Sequence, residues 1–183
     1  YEGIYEKFFI EASNLFGFGK PGDRFDILRH VYECLGADDL DRCIIEGAKL
    51  LDEYIQEQIK SDGVTEEVIG ILEQLSKKYP LYINTGTTQV GIDLTVKNLD
   101  IVSYFKGVLG GPISKAGNLK HIAEMEKVAL IDLLLIGDSN GDVVAATETS
   151  CQFIGVANDW NGWVESNKPY EVVSNIADIV KYL

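Results

Sequence analysis

The sequence lacks most of the patterns that announce a chemistry. It has no Ser/His/Asp arrangement, no G-x-S-x-G and no GxxxxGK[ST], so serine hydrolase and P-loop chemistry have no footing. Cysteines are few: Cys34, Cys43 and Cys151 are odd in number and form no C-x-x-C pair. Reduced thiols in a cytoplasmic protein are the expectation. No apolar run approaches the roughly 20 residues of a membrane span, and no signal peptide is visible. Cations are scarce, 16 Lys and Arg against 29 Asp and Glu, for a net charge of −13. That balance disfavours nucleic acid or an anionic membrane as partner, since both reward basic surfaces. It leaves room for a local positive pocket that takes a phosphate.

One pattern is a decoy. Gly17-Phe-Gly19-Lys-Pro-Gly22 has G-x-G-x-x-G spacing, but a helical pattern precedes it and Pro21 interrupts it. A dinucleotide site needs a strand before the glycines and a helix opening within them. His30 and His121 lie on helical patterns far apart in sequence; His121 could face a site, but core or surface places are the expectation for both.

What is present divides in two. With 183 residues, the chain suits one globular unit, or a core with a small second domain. The first third reads as helices only: Tyr1 to Phe16, a second through Phe25 to Leu35, and a third from Leu40 to Ile59. The chain opens on Tyr1 in mid-pattern, so a further segment upstream is expected. Near Ser61-Asp62-Gly63 the texture changes. Thr65, with Glu66 and Glu67 behind it, predicts a capped helix start. From there strands and helices alternate. Strands are predicted at Leu81–Asn84, Gly107–Gly110, Leu133–Ile136 and Cys151–Val156, and helices at about Val90–Leu99, Gly117–Lys127, from Val143, and Val172–Leu183. Such alternation predicts a parallel sheet covered on both faces.

The chemistry-bearing residues collect just past the strands, where α/β proteins bind ligands. Leu133-Leu-Leu-Ile-Gly-Asp138-Ser-Asn-Gly-Asp142 is an apolar run, predicted to be buried on both faces, that ends in two carboxylates. Hard oxygens on one short loop suit Mg²⁺, which is held by one or two carboxylates plus waters and phosphate oxygens. An Asx turn with a helix N-cap is the competing reading. Asn84-Thr85-Gly86-Thr87-Thr88 offers a hydroxyl and backbone N–H groups at a helix start, a phosphate cradle or a capping turn. Gly110-Gly-Pro-Ile-Ser-Lys115 places a lysine at a helix start, where it opposes the dipole; an anion partner would explain it, and a solvated surface lysine is the competing reading. Trp160 and Trp163 follow the last of these strands and could wall a cleft or cover a core edge.

In this order, Thr85, Lys115, Asp138 and Asp142 resemble the haloacid dehalogenase (HAD) superfamily, in its phosphoglycolate-phosphatase-like branch. Tyr82-Ile-Asn-Thr85-Gly-Thr resembles the family's second motif and Gly110–Lys115 its third. Ile136–Asp142, followed by Ala145-Ala146, resembles its fourth. The resemblance implies an α/β fold: a Rossmann-like parallel core over residues 61–183 and an all-helical cap over residues 1–60. It implies a Mg²⁺-dependent phosphatase acting on a small phosphorylated metabolite through an aspartyl-phosphate, as monomer or homodimer. Thr85, Gly86 and Lys115 would bind the phosphoryl group, with Lys115 and Thr85 as catalytic residues. Asp138 and Asp142 would serve the metal, Asp142 through its water or through Lys115.

The first motif, D-x-D-G-T/V, departs from the family: no strand of this chain carries it. Asp39-Leu-Asp41 has the spacing but lies in a helical region. In the family this sequence resembles, the strand bearing that motif sits centrally, between the Leu81 and Leu133 strands. The nucleophile is therefore expected upstream of Tyr1, and the chain itself is expected to be inactive. A non-catalytic module that binds metal and phosphate, a phosphomutase and a dehalogenase are the alternatives.

Overall fold

The computed structural model describes residues 7, 8, 10–12, 15, 24–159, 161–163 and 169–183. They fall into two compact units, Tyr1–Gln58 and Ile59–Leu183. In the first unit, helix α1 spans Arg24–Cys34, and the 23-residue helix α2, Leu40–Asp62, begins there and runs on past the division. Lys7, Phe8, Ile10–Ala12 and Leu15 are also helical. Leu28 of α1 meets Ile44 and Ala48 of α2, one helical turn apart, with Tyr32 and Leu40 against them. The rest of the predicted first helix and the Gly17–Gly22 decoy lie outside the described residues. Helix α2 continues three residues beyond its predicted end and stops at Gly63, whose φ of +66° suits glycine.

The second unit alternates as the sequence predicts. Helix α3 (Glu66–Ser76) starts at Thr65, whose hydroxyl accepts the Val68 N–H. Then follow β1 (Tyr82–Thr88), α4 (Gln89–Asn98), β2 (Gly107–Gly111) and α5 (Lys115–Glu126). The chain continues through β3 (Leu134–Gly137), α6 (Asn140–Thr149), β4 (Gln152–Val156) and β5 (Glu171–Val173). A 3₁₀ helix at Ile176–Tyr182 closes it. Thr88, Ser114 and Ser139 each cap the helix after them with a side-chain oxygen. These caps draw α4, α5 and α6 one to three residues closer to their strands than the apolar periodicity alone suggests.

The predicted final helix at Val172–Leu183 is corrected. Val172 and Val173 form strand β5, parallel to β4, and only the 3₁₀ helix follows. Val172 is 2% exposed and Val173 3%. Burying a valine is worth roughly 1.5–3 kcal/mol, more than the helix-propensity differences of below about 0.7 kcal/mol per residue.

The strands do not form one sheet. β1 pairs with β2, Tyr82 opposite Gly107 and Asn84 opposite Leu109, with a bulge before Thr88. β3, β4 and β5 form a second parallel sheet, Leu135 opposite Phe153 and Gly137 opposite Gly155. Among the described residues no ladder joins β1 to β3. The interruption falls between the two strands that the resemblance places on either side of the strand bearing D-x-D. It also corrects one expectation: Leu135 is buried, but Leu134 and Ile136 are only partly so. A strand with a neighbour on one edge keeps part of its apolar surface open.

Helices cover both faces. Ala116 and Leu119 of α5 and Ala145 and Ala146 of α6 pack with Leu135 and Cys151. On the other face Leu75 of α3 and Ile179 of the 3₁₀ helix meet Ile154 and Val173. Leu81 joins Leu134 and Ile136 in that cluster, so apolar packing spans the interruption in the ladder.

Candidate active site

Lys115 is the first residue of α5 and Asp142 lies in the first turn of α6, 27 residues apart in sequence. Lys115 Nζ donates to Asp142 Oδ1 across 2.6 Å. The lysine side chain is 25% exposed and the carboxylate 5%. Asp142 Oδ2 accepts the Ser139 N–H at 3.1 Å and the Ser139 hydroxyl, and Asp142 N–H donates back to Ser139 Oγ. This is a reciprocal capping box, written locally as Ser-x-x-Asp. Both oxygens of Asp142 are therefore engaged within the protein.

Gly137 permits that arrangement. A Cβ at this position would lie 2.4 Å from Asp142 Cγ and 2.6 Å from its Cβ. Only a residue without a side chain lets β3 end so close to the buried carboxylate.

The carboxylate of Asp138 differs. It is exposed, and its Oδ2 accepts from Asn158 Nδ2 at 3.0 Å. Hard oxygen donors are the right chemistry for Mg²⁺. Among the described residues, however, no group of three or more His, Cys, Asp or Glu surrounds one point. The residues therefore fit a cation held through one Asp138 oxygen, its remaining ligands being water and phosphate oxygens. Asp142 fits a supporting place, fixing Lys115 and the loop.

Thr85 lies within β1, near the bulge, and not at a helix start. Its hydroxyl accepts the Thr87 N–H at 3.2 Å and lies 3.3 Å from Thr87 Oγ. Gly86, next to it, is exposed. Helix α4 begins only at Gln89, after the Thr88 cap, so the expected cradle is a bulged strand end.

Two asparagines take a part that the sequence reading gave to neither. Asn84 Nδ2 donates to the Lys115 carbonyl at 2.9 Å, and Asn118 Nδ2 donates to Asn84 Oδ1 at 3.0 Å. Asn118 is 1% exposed. The pair ties β1, beside Thr85, to the first turn of α5. The available signal was a polar residue ending the apolar Leu-Tyr-Ile run of a predicted buried strand.

Most of the remaining candidates have partners of their own. Asp39 and Asp41 sit at the start of α2 in ion pairs with Arg42 and Arg29. His30 contacts Cys34 Sγ at 3.6 Å and Glu11 at 3.8 Å within the helical unit, and His121 is exposed on α5. Trp163 is 6% exposed and packs edge-on against Phe153 and Tyr170, covering a core edge; Trp160 lies outside the described residues. A surface cavity of about 690 Å³ is lined by Thr147, Cys151, Phe153 and Tyr170, with none of Thr85, Lys115 or Asp138 in its wall.

No family model matches the chain. It is 26% identical to a phosphoglycolate phosphatase of Neisseria gonorrhoeae over 129 residues, 65% of this chain and 54% of that protein. It is 26% identical to a phosphoglycolate phosphatase of Escherichia coli K12 over 147 residues, 74% of this chain and 57% of that protein. The chain thus spans about half the length of the curated relatives it matches. Among solved structures, a haloacid dehalogenase-like family hydrolase from Streptococcus pneumoniae aligns with a TM-score of 0.65 at 20% identity, covering 99% of this chain and 90% of that one. A predicted phosphoglycolate phosphatase from Haemophilus somnus aligns with a TM-score of 0.70 at 16% identity, covering 98% and 90%. The chain thus shares the α/β fold of haloacid dehalogenase-like hydrolases and is similar in sequence to phosphoglycolate phosphatases.

Proposed function

We propose that this chain supplies the phosphate-binding and metal-binding half of a Mg²⁺-dependent phosphomonoester hydrolase, with residues 1–60 as helical cap and 61–183 as core. The observation that carries the proposal is the Lys115–Asp142 ion pair at 2.6 Å, which joins the helix after β2 to the helix after β3, on whose loop Asp138 lies.

A phosphoryl group bearing two negative charges needs fixed positive charge and N–H donors where charge builds up in the transition state. Lys115 supplies the charge. Asp142 keeps the ammonium from swinging into solvent, and Asn84 fixes the backbone from which Lys115 projects. Thr85 Oγ and the Gly86 N–H hold phosphoryl oxygens. Asp138 would hold Mg²⁺, which when bound would supply charge to offset that of the phosphate.

The attacking carboxylate and its acid/base partner are not among the residues assembled here. They belong on a strand that pairs with β1 on one edge and β3 on the other, and the chain without that strand does not turn over substrate. The substrate is a small phosphorylated metabolite. No helix among the described residues is long and apolar enough to cross a membrane.

Binding tests this directly. Calorimetry of the chain with Mg²⁺ and with inorganic phosphate should show Asp138→Ala losing the metal and Lys115→Ala weakening phosphate by about tenfold or more, the cost of one charge-assisted contact. Equal affinities in variant and parent would overturn the assignment.

A further inference from the structure

The loop after β4 grips Asp138 from two directions. Asn158 Nδ2 donates to Asp138 Oδ2 at 3.0 Å, and Asn161 Nδ2 donates to the Asp138 carbonyl at 3.0 Å. Asn161 Nδ2 also reaches the Val156 carbonyl at 2.8 Å, and its Oδ1 accepts the N–H groups of Asn158 and Trp163 at 3.2 and 3.0 Å. Both amide hydrogens and both lone pairs of Asn161 are thereby used. Asn158 Oδ1 accepts the Asn161 N–H at 2.9 Å, so the loop is latched twice. Trp163, held in the Phe153 and Tyr170 cluster, anchors its far end.

This latch settles the orientation of the Asn158 amide: its oxygen is held by Asn161 and its nitrogen points at Asp138. A carboxylate rotates broadly about χ2, and its two oxygens are otherwise equivalent. A donor fixed on Oδ2 stops that rotation and leaves Oδ1 for a cation. The donor is neutral, so it neither repels a metal nor adds a ligand charge. The β3–β4 ladder, with Gly137 opposite Gly155, carries the loop to its place beside Asp138.

We propose that Asn158 is a positioning residue that aims the Asp138 carboxylate at a divalent cation, with Asn161 holding the loop that presents it. The inference rests on the reading of Asp138 as the cation's ligand, and its test separates the two. Mn²⁺ is titrated into the full chain, and broadening of backbone amide signals by the bound ion is read by NMR, with Mg²⁺ and Ca²⁺ as competitors. Broadening is expected to centre on Gly137–Ser139 and to vanish in Asp138→Ala. Asn158→Ala is expected to weaken Mn²⁺ binding by about tenfold or more, the scale for losing the partner of a metal ligand. Asn158→Asp keeps the oxygen that accepts the Asn161 N–H and sets a second carboxylate beside the first. It should shift preference toward Ca²⁺ over Mg²⁺ by about tenfold, because Ca²⁺ takes more oxygens in looser geometry.

Binding within about twofold of the parent in Asn158→Ala, with Asp138→Ala still abolishing it, overturns the positioning role and leaves Asp138 as a ligand. Broadening that survives Asp138→Ala overturns the ligand assignment and the inference with it. Should Asn158→Ala unfold the loop, Asn158→Asp decides the matter: an unchanged Ca²⁺ to Mg²⁺ preference shows that residue 158 does not face the cation.

Discussion

Lys115 Nζ and Asp142 Oδ1, 2.6 Å apart, tie α5, which follows β2 of one half-sheet, to α6, which follows β3 of the other. Removing the lysine leaves a carboxylate 5% exposed with, among the described residues, Ser139 alone to satisfy it. Breaking a fully buried pair costs about 3–5 kcal/mol, and the partial exposure of Lys115 lowers that to about 2–3. A double-mutant cycle with Lys115→Met and Asp142→Asn should therefore show a coupling of at least about 1 kcal/mol in urea denaturation. Strict additivity would mean that the two side chains do not depend on each other.

Gly137 and Gly141 look alike in sequence, one on each side of the loop, yet substitution should separate them. Alanine at 137 drives a methyl group into Asp142 and should cost about 1–3 kcal/mol, the usual penalty of overpacking. Alanine at 141 meets nothing closer than Ser139 Oγ at 3.5 Å. There the helix preference for alanine over glycine, up to about 1 kcal/mol, should leave stability unchanged or raised. Equal penalties at both positions would show that Gly137 does not serve the close approach to Asp142.

Tyr82 gives the fold an alkaline limit. Burial first, and then its hydrogen bond to Glu126, push its hydroxyl up from 10.0 to about 12. Glu126, paired with Lys106 and bonded by Tyr82, is held below the ordinary carboxylate range. The neutral phenol is thus favoured in the folded state. Its contribution to stability is complete below pH 10 and is lost as pH rises toward 12. Urea midpoints measured across that window should fall in the parent and stay flatter in Tyr82→Phe. Parallel profiles would assign the alkaline loss to other groups.

Local signals made much of this molecule legible. The Ser139-Asn-Gly-Asp142 box, the Thr65 cap and the strand-end places of Lys115 and Asp138 are all written within a few residues. Long-range pairings were not. Asn118 reaches Asn84 across 34 positions and Asn158 reaches Asp138 across 20, and no short window holds either bond. Val172-Val173 is too short for a period of two to declare itself against a helical pattern. The apolar Leu133–Ile136 run correctly read as strand, but its burial depends on a neighbour that only the sheet topology can supply or withhold.

β1 and β3 each pair on one edge among the described residues, while Leu81, Leu134 and Ile136 share a cluster beneath. The unpaired edges of the two strands would accept a third strand bonded to both. Thr85 lies toward the carboxyl end of β1 and Asp138 just past that of β3, so a carboxylate at the carboxyl end of such a strand would be placed to attack the phosphoryl group. A segment of roughly 15 residues, a strand plus a turn, with D-x-D at its carboxyl end and fused ahead of Tyr1, should restore Mg²⁺-dependent hydrolysis of an aryl phosphate. The chain alone should show none. In the complemented protein Lys115→Ala should cost on the order of 10²-fold in turnover, the scale of one preorganised donor. Replacing the first aspartate of D-x-D by asparagine should abolish turnover while leaving Mg²⁺ binding measurable. Turnover by the unfused chain, lost on mutating Asp39 or Asp41, would falsify this account and place the nucleophile at the start of α2.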